Sequence, residues 1–101
     1  MRKIINEKMY NTETATKIGN WWNGLGESDF RNVDETLYKK RTGEFFLYGE
    51  GGGLSRYASS NGNTRSSGKG IIPLTLEQAK EWGEEYLDCH EYEEAFGKVD
   101  E

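Results

Sequence analysis

The only Cys and the only His of the chain are neighbours, Cys89 and His90, and their side chains are the first candidates for metal or nucleophilic chemistry. A structural zinc site needs four protein ligands, which one thiolate and one imidazole do not supply. A Cys–His nucleophile pair needs a thiolate, and the nearby carboxylates of Asp88 and Glu91 disfavour that anion. We therefore expect no metal site, no cofactor and no catalysis from this pair.

Two glycine-rich segments suggest phosphate binding but do not match the known motifs. In residues 62–70, five residues instead of four separate the two glycines that precede Lys69, and Gly70 stands where a P-loop needs Ser or Thr. Residues 49–53 follow a predicted strand, but they lack the glycine spacing and the immediate helix of a dinucleotide-binding fingerprint. The sequence therefore predicts a protein that is not an enzyme.

Negative charge is concentrated in the C-terminal quarter of the chain. Residues 1–74 carry a net charge of +3 and residues 75–101 a net charge of −8. Because charges are screened within about 8 Å in physiological salt, a partner responds to this local charge. The acidic segment is either a solvated helix face or a surface for a basic partner, and its candidate contact residues are Glu77, Glu81, Glu84, Glu85, Asp88, Glu91, Glu93 and Glu94.

Positive charge is interleaved with aromatic residues in the middle of the chain. This pattern is typical of nucleic-acid binding, because aromatic rings stack on bases while cations neutralise phosphates. A sequence pI of about 5.0 opposes that interpretation, and a solvated hairpin tip also explains the turn residues. The candidate residues are Lys39, Lys40, Arg41, Arg56, Arg65 and Lys69.

The length of 101 residues predicts a single domain over 1–101. Thirteen aromatic side chains, each able to bury about 150–250 Å², favour a folded chain over a disordered one. One Cys allows no intrachain disulfide and suits a reducing compartment. The sequence also lacks an apolar stretch long enough for a membrane span. We therefore expect a cytoplasmic protein that does not use a membrane as its partner.

Two short strands joined by a tight turn are predicted at the N-terminus, over residues 2–10. The spacing of Ala15, Ile18 and Trp22 then predicts a helix over about 13–23 that begins at an N-cap Thr12. Trp21 and Trp22 are interpreted as packing residues, with an exposed Trp for a partner as the alternative.

A central hairpin over about 35–48 is the clearest predicted element, with Gly43 free to adopt a positive φ in its turn. Residues 49–70 are rich in Gly, Ser and Asn, which predicts a mobile loop that is either functional or disordered. Ile71 and Ile72 form a short strand that Pro73 ends.

The C-terminal part is predicted to be helical. Thr75 and Gln78 have the form of a capping box, and the apolar spacing behind them predicts an amphipathic helix over about 75–87. Residues 91–96 add a short C-terminal helix that Gly97 stops. The overall prediction is an α+β fold in which a small antiparallel sheet packs against helices.

Several segments together resemble a family of small, mostly uncharacterised bacterial proteins carried by phages and other mobile elements. They cover much of residues 3–97 and read KIIN, MYNTETA, ETLY, GEFFLYGEGG, IIPLT, EYE and FG. The chain departs from the family at Glu7, where Gly commonly follows the Asn of the first turn, and over residues 61–70. Some members of such families have been proposed as anti-CRISPR proteins.

The resemblance implies a non-enzymatic inhibitor that binds a CRISPR effector protein, or its complex with guide RNA, in a bacterial host cell. Physically, the acidic helical face would compete for a basic channel that normally holds nucleic acid. The alternative is a small nucleic-acid-binding or regulatory module that uses the basic hairpin tip and the Gly/Ser/Arg loop.

Overall fold

The structure, a computed structural model, describes residues 1–100 and has the predicted α+β architecture. Antiparallel strands form one four-stranded sheet and two small hairpins, and two helices follow at the C-terminal end. The elements are β1 (Arg2–Ile5), β2 (Lys8–Asn11), β3 (Thr16–Trp22), β4 (Val33–Lys39), β5 (Phe45–Gly51), β6 (Ser59–Asn61), β7 (Thr64–Ser66), β8 (Gly68–Leu74), α1 (Leu76–Tyr86) and α2 (Cys89–Phe96).

The four-stranded sheet has the order β3-β4-β5-β8, and every pairing in it is antiparallel. Its centre is the predicted hairpin, in which Leu37 pairs with Leu47 and Tyr38 pairs with Phe46. Gly43 has a φ of 94° in the connecting turn, as the sequence predicts. A side chain at that φ would clash with the backbone, so glycine allows the chain to reverse there.

The N-terminal hairpin of β1 and β2 is also present. Its two turn residues, Asn6 and Glu7, have φ values of 51° and 67°, which is the mirror-image turn that matches the twist of a hairpin. Asn tolerates this conformation and Glu does so less readily. The hairpin therefore forms even though Glu7 stands where glycine would be favoured.

The helix predicted over 13–23 is wrong, because this segment forms strand β3. The register of β3 against β4 shifts between Lys17 and Gly19, which marks a β-bulge. A bulge adds one residue to the strand and changes which side chains share a face. The three residues whose spacing predicted the helix do not share one side: Ile18 packs in the core with Leu37, Ala15 packs in the core with Phe46, and Trp22 is exposed. Ile18 and Trp21 pack against the same core at a spacing of three, which imitates the period of a helix.

The prediction of one loop over 49–70 is also wrong in its secondary structure. Strand β5 continues to Gly51, a compact turn buries Ser55 and Tyr57, and β6 pairs with β7 as a hairpin. Pro73 was predicted to end the next strand, but it lies within β8, which continues to Leu74. Strand β8 lies at the edge of the sheet, where the missing N–H of a proline leaves no partner strand unsatisfied.

Both predicted C-terminal helices are present, and both begin with a capping box. The Thr75 side chain accepts from the Gln78 backbone N–H at 3.1 Å, and the Gln78 side chain accepts from the Thr75 N–H at 2.9 Å. Asp88 and Glu91 repeat this exchange at α2, which therefore begins at Cys89, two residues before the predicted start. These reciprocal bonds satisfy backbone donors that a helix leaves free at its start.

The sheet carries a core on each of its two faces. On the helix face, Leu37, Phe45 and Leu47 pack against Ala79 and Trp82 of α1. On the opposite face, which we call the hairpin face, Phe46 packs with Tyr10 and Ile71. The alternation of Phe45, Phe46 and Leu47 between these cores follows from the two-residue period of a strand. Neither helix of residues 1–100 has the length and hydropathy to span a bilayer.

Candidate functional site

Helix α1 presents four carboxylates on the side that faces away from the sheet. Positions three and four residues apart share one side of a helix, and Ala79, Trp82 and Gly83 take the buried side. The outward side chains are all exposed. Within residues 1–100, none of these carboxylates lies within 4.0 Å of a cationic nitrogen. We call this set the acidic face; it consists of Glu77, Glu81, Glu84 and Glu85.

The other four predicted acidic residues do not extend this face in one direction. Asp88 and Glu91 cap the start of α2, so their carboxylates already accept backbone hydrogen bonds. Glu94 lies 3.6 Å from the imidazole nitrogen of His90. Glu93 borders a cavity of about 540 Å³ between the two helices, which Glu84 of the acidic face also lines. Of these four residues, Glu93 therefore lies next to the acidic face without a cap or ion pair of its own among the described residues, while the others take part in capping or local pairing.

The basic residues of the central turn are partly used by the fold itself. The Lys40 ammonium lies 4.2 Å from the centre of the Tyr10 ring and 3.2 Å from a Glu44 oxygen. Lys8 of the N-terminal hairpin contacts the other Glu44 oxygen at 2.8 Å. Hydrogen bonds from Lys8, Thr42 and Lys40 lower the pKa of Glu44 to about 2. Lys40 therefore helps to attach the N-terminal hairpin to the sheet.

The predicted basic residues do not form one surface. Lys39 and Arg41 lie at the turn end of the sheet, and Lys39 sits 5.7 Å from the centre of the Phe45 ring. Lys69 lies opposite Glu50 in the register of β5 and β8, near the other end of β5. Arg65 is on β7. A seven-residue strand spans about 20 Å, so a contact that covers both ends would have to cross most of the sheet.

The remaining candidate cation, Arg56, binds a buried carboxylate that sequence reasoning did not identify as functional. Glu35 is 3% exposed and lies on the helix face of β4. It accepts hydrogen bonds from the Tyr57 hydroxyl and, at 3.1 Å, from the Trp82 indole N–H. The Arg56 guanidinium lies 3.5 Å from the same carboxylate. Burial, together with the hydrogen bond to Glu35, raises the pKa of Tyr57 above its ordinary value.

This network places the Arg56 cation beside the acidic face, on the side of Glu81 and Glu85. Arg56 borders an open cavity of about 310 Å³ together with Gln78, Glu81 and Glu85 of α1. Beneath it, the buried Glu35 carboxylate accepts hydrogen bonds from two neutral donors and lies near the Arg56 guanidinium, so its oxygens have partners without exposure to solvent. In residues 1–100, no buried polar atom of a side chain lacks a hydrogen-bond partner. The network therefore supports the position of α1 on the sheet.

The two residues first considered for chemistry lie apart from this network. Cys89 and His90 are exposed at the start of α2, and His90 faces Glu94. Within the described part of the chain, no three His, Cys, Asp or Glu side chains converge as a metal site would require. Trp21 stacks on Tyr86 with ring centres 4.1 Å apart, as predicted for a packing residue, whereas Trp22 is 55% exposed.

Comparisons with known proteins add no family to this description. No protein-family model matches the chain, and neither the curated proteins nor the solved structures contain a significant match.

Proposed function

We propose that this protein is a non-enzymatic inhibitor that binds a CRISPR effector nuclease through the acidic face of α1 and blocks its engagement of nucleic acid. The supporting observation is the set of four exposed carboxylates that have no cationic partner in residues 1–100. The choice of a CRISPR effector rests on the family resemblance of the sequence. The role of the acidic face rests on its geometry.

The shape of the acidic face suits a basic channel. Helix α1 has 11 residues and is about 16 Å long, and its carboxylates recur at almost every turn. An effector channel that holds a guide–target duplex is lined with cations that contact the phosphate backbone. Opposite charge accelerates the encounter between such surfaces. A rigid helix that is capped at its start would present the charges without ordering a flexible segment first.

Retention in the complex needs contacts beyond charge, because exposed ion pairs contribute only about 0–1 kcal/mol each. Leu76, the first residue of α1, is 53% exposed and offers an apolar contact next to the carboxylates. Arg56 at the border of the face adds a donor for a polar group of the partner. Both features would favour a protein surface over a simple polycation.

The nucleic-acid-binding alternative has less support from the arrangement of its residues. Lys40 and Arg56 are engaged with Glu44 and Glu35, and the other candidate cations lie at different ends of the sheet. Direct binding to nucleic acid would still be detectable as a gel shift that weakens with salt. That assay therefore belongs in the test.

The test measures target cleavage by CRISPR effectors of several types, with the purified protein added before or after guide loading. We expect the wild type to inhibit at least one effector. The double variant Glu81→Lys/Glu84→Lys should require about a tenfold higher concentration for the same inhibition, which corresponds to a loss of about 1.4 kcal/mol of binding free energy. The matched control is Glu7→Lys/Glu13→Lys, which changes the net charge equally at distant exposed positions and should stay within about twofold of wild type.

Three results would contradict the proposal. Equal loss in both double variants would show a general charge effect instead of a binding face. Unchanged inhibition by Glu81→Lys/Glu84→Lys would exclude the acidic face. Inhibition of none of the effectors, together with a salt-sensitive gel shift that is lost in Lys39→Ala/Arg41→Ala, would support the nucleic-acid-binding module instead.

A further inference from the structure

The hairpin face of the sheet is covered over only part of its length. Tyr10 and its neighbours pack on the end near Phe46. Towards the other end, the cross-strand row formed by Trp22, Asp34 and Glu50 remains open. A cleft of about 290 Å³ lies at this end of the face.

An exposed indole forms one wall of this cleft. Trp22 is 55% exposed, although a Trp side chain gains much free energy from burial. The side chain is fixed in this position, since its indole N–H donates to the Leu25 carbonyl at 2.8 Å. The loop that supplies this carbonyl is held in place by Asn23. The Asn23 side chain donates to the Arg31 carbonyl and accepts from the Val33 N–H. The indole is thus already in place before any ligand arrives.

The remaining polar lining of the cleft is negative. Carboxylates come from the loop residue Glu27 and from the strand residues Asp34 and Glu50, and the amide of Asn32 completes the polar groups. Asp34 accepts one hydrogen bond from the Asn20 side chain, and Glu50 accepts one from the Tyr48 hydroxyl, each at 2.8 Å. An ionised carboxylate has about four acceptor sites, so both residues can accept further donors from a ligand.

A planar cation fits this combination better than an anion or a neutral ligand does. The face of an indole ring attracts cations, and carboxylates bind guanidinium in a bidentate manner. An arginine side chain can use both at once, because its guanidinium is planar, stacks on aromatic rings and presents five donors. A lysine ammonium lacks the stacking and the paired donors. Among residues 1–100, no Lys or Arg side chain lines the cleft.

The cleft also has room for the chain that carries such a side chain. It continues into a second cavity of about 490 Å³, with which it shares Glu27, Asn32 and Glu50. Lys69 also lines this second cavity; it lies opposite Glu50 in the sheet register but forms no ion pair within 4.0 Å among the described residues. An extended peptide could therefore lie along the groove with one arginine inserted beside Trp22.

We propose that the cleft between Trp22, Glu27, Asp34 and Glu50 is a binding site for an arginine side chain of a partner protein. The site lies on the hairpin face, whereas the acidic face belongs to α1 on the other side of the sheet. It does not depend on the function proposed above, and either proposal can fail alone.

The test is a titration of the full-length protein, labelled with ¹⁵N, with the capped peptide acetyl-Gly-Arg-Gly-amide. The observable is the indole N–H resonance of Trp22, which is assigned by its loss in Trp22→Phe. We expect a saturable shift below about 10 mM peptide, since a site for one side chain should bind with roughly millimolar affinity. The same peptide with Lys should bind at least threefold more weakly, and the peptide with neutral citrulline at least tenfold more weakly.

Variants then distinguish the cleft from general charge attraction. Asp34→Asn and Glu50→Gln keep an acceptor for Asn20 and Tyr48, so the fold is retained, and each should weaken binding at least fivefold. The matched control, Glu13→Gln, removes one exposed carboxylate outside the lining of the cleft and should stay within twofold of wild type. The proposal is overturned by the absence of a saturable Trp22 shift, by equal binding of the arginine and citrulline peptides, or by equal weakening in the cleft and control variants.

Discussion

Asp34 and Glu35 are consecutive residues of β4, and they meet opposite environments. Asp34 lies on the hairpin face, is exposed and accepts a hydrogen bond from the Asn20 side chain. Glu35 lies on the helix face, is 3% exposed and is surrounded by donors from Tyr57, Trp82 and Arg56. The alternation of a strand is sufficient to give two neighbouring carboxylates these different surroundings.

This contrast separates the carboxylates that stabilise the fold from those that remain free for a partner. A buried charge must be matched by donors, and the loss of one member leaves the others without partners in a site that water does not reach. An exposed carboxylate is already solvated, so its removal from the free protein costs little. Glu35 is therefore expected to act on stability, and the exposed carboxylates of Asp34 and the acidic face on binding.

Truncation of the buried member of this pair should cause the greatest loss of stability. Glu35→Ala leaves the Tyr57 hydroxyl and the Trp82 indole N–H without an acceptor, and it should lower the free energy of unfolding by about 3 kcal/mol. Asp34→Ala, one residue away, should change it by less than about 1 kcal/mol. Urea unfolding followed by circular dichroism measures both values. Similar losses in the two variants would show that the faces do not differ as described.

A smaller effect is expected where the turn that carries Tyr57 meets the sheet. Gly49 is buried directly beneath the Tyr57 ring, and a β-carbon at this position would overlap the ring. Gly49→Ala should therefore displace Tyr57 from Glu35 and destabilise the protein by about 2 kcal/mol.

Its cross-strand neighbour provides the control for this second prediction. Gly70 pairs with Gly49 in the register, and in residues 1–100 no atom other than those of Gly70 and its two chain neighbours lies within 4 Å of a β-carbon built on it. The free energy of unfolding of Gly70→Ala should lie within about 0.5 kcal/mol of the wild-type value. A thermal unfolding comparison in which Gly70→Ala is the more damaging substitution would refute the packing of Tyr57 against β5.

The mildest variant removes only the Tyr57 hydroxyl. Tyr57→Phe should lower the free energy of unfolding by about 1.5 kcal/mol at neutral pH, because one hydrogen bond to a charged group is lost. The raised pKa of Tyr57 also predicts an alkaline effect. Above about pH 10 the unfolded chain releases this proton while the folded chain keeps it, so the stability of the wild type should fall as the pH rises.

Denaturant unfolding between pH 8 and pH 11 would test this third prediction. The gap in stability between wild type and Tyr57→Phe should narrow across that range, because the variant lacks the group that titrates. Tyr48→Phe is a second case of the same effect and not a control: burial and the hydrogen bond to Glu50 raise the pKa of Tyr48 to about 12, so its stability gap to wild type should also narrow over this range. A constant gap for Tyr57→Phe would place its hydroxyl outside the buried network.

Much of the fold could be predicted from local sequence. The β4–β5 hairpin follows from two β-prone runs around Gly43, and α1 follows from its capping box and apolar spacing. Strand β3 could not be predicted in this way. Its bulge at Lys17 and Gly19 places Ile18 and Trp21 on one face at a helical spacing. The two-residue period that identifies a strand is lost at that point.

The candidate sites also differ in whether a local sequence pattern reveals them. The acidic face is visible in the sequence, because residues three and four apart in a helix must share a side. Glu35 could not be recognised, since its donors Tyr57 and Trp82 are 22 and 47 residues away along the chain. The cleft beside Trp22 likewise combines a loop with β4 and β5. Both depend on tertiary contacts that no local pattern encodes.

The β6–β7 hairpin is a suitable site for an insertion into the chain. Residues 59–67 are all exposed, the strands bond mainly to each other, and Gly62 forms the tip between them. A chain interrupted or extended at an exposed tip of this kind usually keeps its fold. A fluorophore or affinity tag inserted after Gly62 would therefore report on partners of the protein, since the insertion leaves the residues of α1 and of the Trp22 cleft unchanged.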